Sequence, residues 1–306
     1  MRVDCRYFND TLGHFSAIFN SEECVVRQQW DIFIVDSHYI FKDRIIPISI
    51  IMPRRKRIQK IVINVVGGPS NSIRLDSLGP AHRDFAVHLA RKNLAYITVG
   101  YSGTFERSRF PEANLPLAIE EIDYLYEQLT ARNDNVCFFG SSLGGYITLV
   151  TRKNANSLSL RNSRAVIYNP LVISGSQILA HSDRHPEAKR LLYHRFNSFE
   201  LDESGQERFI GLRDELHREI FVSFFGNDID DDPIGGDRSN VKVLYSVREP
   251  VLGEMNKAIG RQEFSENFES IDSADHRIPG GWKNYFVRRR MADSVYNFCF
   301  GAHPQR

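Results

Sequence analysis

Cysteine is scarce in this 306-residue chain: Cys5, Cys24, Cys137 and Cys299 are widely scattered, and no CxxC pair occurs. That spacing offers no zinc framework. Cys137 and Cys299 fall inside apolar runs and read as small buried hydrophobes, so a reducing, cytoplasmic setting is expected. No apolar run approaches the length needed to span a bilayer. The opening residues, MRVDCRYFNDTLGHF, have neither the apolar segment nor the small-residue cleavage site of a secretory signal. Excess charge is also missing. A formal net charge of +1 gives no general electrostatic ground for a nucleic-acid or anionic-membrane partner. The short basic run Arg54 to Arg57 follows Pro53 and reads as a solvated turn. Internal repeats and low-complexity blocks are absent.

What is present is a hydrophobic content of 42% and a charged content of 25%, ordinary for a globular protein with a sizeable core. Residues 1–29 are mixed in character and read as an N-terminal extension. DIFIVDSHYIF and IIPISIIMP, separated by the polar turn KDR, predict an antiparallel pair. From Lys60 onward strand and helix alternate. KIVINVV, LAYITVGY, NVCFFG and SRAVIYNP predict strands buried on both faces. AHRDFAVHLARKN, NLPLAIEEIDYLYEQLTARN and GGYITLVTRKN predict helices between them. EIFVSFFGND and NFESID predict the last two strands, and NYFVRRRMADSVYNFCF a closing helix. This alternation predicts an α/β domain over 30–306, with a mostly parallel sheet and helices on both faces. Residues 171–217 are polar and mixed, and fit a lid above the strand C-termini.

The segment Gly140-Ser141-Ser142-Leu143-Gly144 lies between a predicted strand and a predicted helix and matches G-x-S-x-G. In such a turn the central serine, Ser142, projects its hydroxyl above the sheet. The small flanking residues let neighbouring backbone approach, and the helix N-terminus offers N–H groups, notably that of Leu143, to an oxyanion. A tightly packed βα turn without chemistry is the plain alternative. A serine nucleophile needs a histidine base and a carboxylate, in the chain order Ser, acid, His. His181, His185, His194 and His217 precede the last long predicted strand, and His303 lies in the tail, which leaves His276. The acid should follow the preceding strand, where FVSFFGNDIDDDP offers Asp228 first and Asp230 next. The aspartate cluster is not in EF-hand register, and neither metal nor organic cofactor is expected.

These motifs together resemble the α/β-hydrolase superfamily, and more narrowly the catalytic domain of the prolyl oligopeptidase family and related esterases. INVVGGPS resembles the oxyanion-loop segment, AYITVGYSGTFERSRF the strand with its RGS-type loop, and GSSLGGY the nucleophile elbow. The resemblance spans roughly residues 30 to 300. It implies an acyl-enzyme mechanism with Ser142, Asp228 and His276, acting on a small-molecule or peptide acyl substrate. Two departures bear on it. Val66 stands where relatives often carry a His or Tyr donor, so the second oxyanion donor would be the backbone N–H of Gly67 or Gly68, which favours an esterase over a peptidase. Ser102 stands where the RGS-type loop has Arg, and Glu106, Arg107 and Arg109 lie in that loop. Acyl transfer by the same residues, or a binding protein that retains the fold, are the other readings.

Overall fold

The computed structural model describes residues 2–3, 24–29, 31–54, 58–67, 73–74, 78–102, 104, 114–132, 135–172, 198–201, 207–210, 237–248, 253–273 and 275–301. A hairpin opens the main sheet: β1 (Arg2–Val3) and β2 (Val25–Gln29) lead into β3 (Ile32–Phe41) and β4 (Arg44–Pro53). All pair antiparallel. Lys42 and Asp43 both take positive φ, 46° and 62°, as the tight two-residue turn between twisted strands requires.

The chain then alternates. β5 (Ile61–Val65) precedes α1 (Pro80–Ala90), β6 (Ala95–Val99) precedes α2 (Leu115–Thr130), and β7 (Val136–Ser141) precedes α3 (Leu143–Asn154). A short α4 (Leu158–Arg161) leads to β8 (Arg164–Tyr168). β9 (Ser198–Leu201) and β10 (Glu207–Ile210) form a separate antiparallel ribbon inside the predicted lid segment. β11 (Val241–Ser246), α5 (Gly253–Glu263), β12 (Phe268–Ile271) and α6 (Tyr285–Phe300) complete the chain. The sheet has ten strands in the order β1-β2-β3-β4-β6-β5-β7-β8-β11-β12. β5 through β8, β11 and β12 run parallel.

The continuous apolar runs have a simple cause. In β5, Ile61, Ile63 and Val65 face the layer of α2 and α3, while Val62 faces that of α1 and α6. Both faces are covered, so neither can be polar. One polar exception is Asn64, buried on the α1 side. Its Nδ2 donates to Thr98 Oγ1 (3.1 Å) and lies 3.4 Å from His82 Nε2, which also accepts from the Tyr96 hydroxyl at 2.9 Å. Burial lowers the His82 pKa from 6.5 to about 4, so its imidazole is neutral at ordinary pH.

Two expectations change. The strand between β8 and β12 is Val241–Ser246, a segment the sequence pattern does not announce; EIFVSFFGND lies outside the described residues. Cys137 and Cys299 are not free thiols. They form a disulfide with a Cα–Cα distance of 5.8 Å, tying the start of β7 to the end of α6, and Cys24 is also disulfide-bonded. Apolar surroundings suit a disulfide as well as a thiol, and the partners meet only once the fold forms.

Candidate active site

β7 delivers the chain to Ser142, whose backbone sits at φ 54°, ψ −122°. For a non-glycine residue this is a strained conformation, costing on the order of 1–3 kcal/mol. It persists because the surroundings fix it from both sides. Ser142 N donates to Tyr168 O (3.0 Å), and Ser142 O accepts from Gly145 N (3.0 Å) and Leu171 N (3.2 Å). A Cβ on Gly144 would stand 2.6 Å from Val66 O and would also press on Val65 O, so only glycine lets α3 start this close to the end of β5. The strained turn lifts the Ser142 side chain to the C-terminal edge of the parallel strands, where ligands usually bind in this class of sheet.

His276 reaches the same edge from the loop after β12. Its Nε2 is 2.8 Å from Ser142 Oγ. The imidazole is mostly buried, and its loop is gripped through main-chain carbonyls. Asn169 Nδ2 donates to Asp275 O (3.1 Å) and His276 O (3.0 Å). Ser246 Oγ donates to Asp275 O (2.8 Å), as does the Tyr168 hydroxyl (3.0 Å). Asn169 is itself held by Ser246 N donating to its Oδ1 (2.8 Å) and by its own N–H donating to Leu244 O (2.9 Å). Burial pushes the Tyr168 phenol up to about 12, which keeps it a donor. β8 and β11 thus position a loop that follows β12. The sequence singles out His276 but not this clamp, because nothing local in YNP or YSV signals partners 29 to 109 residues away.

The loop after β5 passes against the elbow. A Cβ on Gly67 would lie 2.9 Å from Ser142 Cβ and would also press on Ser141 O. Val66 O accepts from the buried Tyr101 hydroxyl at 2.8 Å, which anchors the loop behind that glycine. Val66 is buried in the core. Leu143 occupies the first helical position of α3, where the N–H has no intrahelical acceptor and the helix dipole favours negative charge. Gly68, Asp228, Asp230, Glu106, Arg107 and Arg109 lie outside the described residues. Ser102 is buried: its N–H donates to Glu121 Oε2 (2.7 Å), and its Oγ accepts from Asn114 N (3.3 Å). Among the described residues no group of three or more His, Cys, Asp and Glu side chains is arranged to hold a metal. No described helix is long and apolar enough to cross a membrane.

Strand order, elbow and histidine loop together define the α/β-hydrolase fold. Solved structures that share it include esterases. One is a hyperthermophilic esterase from the archaeon Pyrobaculum calidifontis, with TM-score 0.54 and 16% identity, covering 86% of this chain and 84% of that one. Another is a fungal esterase from Rhizomucor miehei, with TM-score 0.56 and 14% identity over 98% and 90%. A third is a bacterial esterase of the hormone-sensitive lipase family, with TM-score 0.52 and 15% identity over 89% and 86%. The sequence matches no protein-family profile and no curated protein. At these identities the likeness is one of fold.

Proposed function

We propose that the protein is a serine hydrolase that cleaves an ester through an acyl-enzyme. The observation that carries this reading is the 2.8 Å contact between His276 Nε2 and Ser142 Oγ at a strained strand-to-helix turn. A buried imidazole at that distance can accept the hydroxyl proton as Oγ attacks the substrate carbonyl carbon. The negative charge then grows on the carbonyl oxygen, beside the Leu143 N–H and the glycine loop of Gly67 and Gly68. Collapse of the adduct breaks the bond to the leaving alcohol, which takes the proton from His276. Water repeats the sequence on the acyl-Ser142 ester and releases the acid.

The triad carboxylate follows the strand that precedes the histidine strand. With β11 in that place, the first carboxylate beyond it is Glu249. Asp228, the carboxylate that ends EIFVSFFGND, precedes β11 and is the rival. Val66, a buried side chain without a donor, supports an ester over a peptide substrate, as do the esterases that share the fold. Capture of the acyl group by an added alcohol, faster than by water, would shift the reading to acyl transfer.

Labelling tests the core of the proposal. A fluorophosphonate probe should add once to the wild-type protein and not to Ser142→Ala. His276→Ala should lower p-nitrophenyl ester turnover by several orders of magnitude. Equal labelling of Ser142→Ala would reject the nucleophile and favour a binding protein that retains the fold.

A further inference from the structure

The segment from His276 to Ala292 contains five cations, Arg277, Lys283, Arg288, Arg289 and Arg290, and no acid. On a chain of net charge +1 this is a local excess. The same segment carries the most exposed aromatic side chains among the described residues. Trp282 is 81% exposed, Phe286 75% and Tyr285 45%. Tyr285 and Phe286 meet edge to face at 5.5 Å, and Lys283 Nζ lies 5.9 Å from the Trp282 ring centroid.

These side chains stand on a fixed base. Arg288 is buried and donates to Pro279 O and Gly281 O, both at 2.8 Å, and to Asp84 Oδ2 at 2.9 Å. Asn284 Nδ2 donates to Gly280 O (2.7 Å), and Gly280 N to Asp275 Oδ2 (3.1 Å). The buried cation thus shapes the turn that presents the aromatics. Its position six residues beyond His276 keeps Trp282 within roughly 20 Å of chain from the histidine. On α6, Arg289 and Arg290 lie one turn beyond Tyr285 and Phe286 on the same exposed side, about 6 Å deeper along the axis. The acids facing them are few. Arg290 has Glu269 Oε1 at 3.4 Å, but that carboxylate also binds Lys242 at 2.8 Å. Arg277, Lys283 and Arg289 have no ion-pair partner among the described residues.

We infer that Trp282, Tyr285 and Phe286, with Arg277, Lys283, Arg289 and Arg290, form a docking surface for an anionic lipid bilayer. Aromatic rings settle at the boundary between headgroups and acyl chains. An apolar tip enters that boundary by about 5–10 Å, which brings cations one helical turn behind it level with lipid phosphates. Each cation near an anionic surface contributes a factor of about five in binding. Docking here sets the His276 loop beside the lipid surface. The binding does not depend on the hydrolase reading and is measured without it.

The experiment uses the full chain and two vesicle populations, pure phosphatidylcholine and equimolar phosphatidylcholine–phosphatidylglycerol. The protein should sediment with the anionic vesicles at least about tenfold more strongly, and Trp282 emission should shift to the blue. The double variant Trp282→Ser/Phe286→Ser should lose at least about tenfold of that binding. Arg289→Glu/Arg290→Glu should lose the preference for anionic lipid. Both pairs are exposed, so circular dichroism and the unfolding temperature should match wild type. Anionic binding unchanged by the Trp282/Phe286 variant would overturn the proposal, as would equal affinity for both vesicles. A dimer that dissociates in the same variant, seen by light scattering, would also overturn it by making a second copy the occupant.

Discussion

His82 makes acid stability a test of the buried polar cluster formed with Asn64, Tyr96 and Thr98. Its Nε2 accepts from Tyr96 and lies near Asn64, with Phe85 packed alongside, and burial lowers its pKa from 6.5 to about 4. In the unfolded chain the same imidazole takes a proton near pH 6.5, so between those values the unfolded state binds more protons than the folded one. Stability is therefore fully present above pH 6.5 and is lost as pH falls toward 4, at up to about 1.4 kcal/mol per pH unit and about 3 kcal/mol in all. His82→Gln keeps a polar side chain but does not titrate. At pH 7 it should cost on the order of 1 kcal/mol through imperfect packing and hydrogen bonding. By pH 4.5 the order should invert, with the variant about 1–2 kcal/mol more stable than wild type. Urea unfolding followed by circular dichroism at both pH values measures this, and groups remote from His82 cancel in the difference. A wild-type-minus-variant difference that stays constant from pH 7 to 4.5 would refute the reasoning: His82 would then be solvated or already charged.

Three further outcomes bear on the site and its frame. Glu249→Gln should lower kcat by roughly 10⁴-fold with Asp228→Asn near wild type; the reverse pattern assigns the acid to Asp228. Gly67→Val should reduce kcat at least about 100-fold by displacing the loop from Ser142, whereas Val66→Ala should alter kcat/KM less than about tenfold, and equal effects would count against a backbone oxyanion hole at this loop. Alkylation of unreduced, denatured protein should leave Cys137 and Cys299 unmodified. Their reduction should lower stability by up to about 5 kcal/mol, given the 162-residue separation that the bond closes; two alkylated thiols would instead support the reading of buried cysteines in a reducing compartment.

What could be read from the chain and what could not divide along physical lines. β5 and β7 were legible because burial on both faces demands an unbroken apolar run. The elbow was legible because two backbones meet there at a distance only glycine tolerates, and that requirement leaves its mark on consecutive residues. β11 was not. VKVLYS is short, interrupted by Lys242, and lies beyond a longer apolar segment that competes for the same role. Without β11 the first carboxylate of the expected region is Asp228, and with β11 Glu249 becomes a second candidate. The Cys137–Cys299 bond and the Tyr168, Asn169 and Ser246 clamp escaped for another reason. The bond and the clamp contacts of Tyr168 and Asn169 join residues more than seventy-five apart along the chain, and Ser246 reaches Asp275 across 29. Single-sequence patterns carry no record of such meetings.

The clamp on the histidine loop has a consequence for how this protein can vary. Asn169, Tyr168 and Ser246 hold carbonyl oxygens of Asp275, His276 and Arg277, not their side chains. A carbonyl is common to every amino acid, so the grip is indifferent to which residue occupies the loop. Arg277, exposed at the rim, can be exchanged without loosening the grip on the loop. Position 276 itself can be emptied of its imidazole and leave the loop in place. The polar clamp and the chemical identity of the loop are therefore separable traits, one fixed in the strands and the other open to change at their tips.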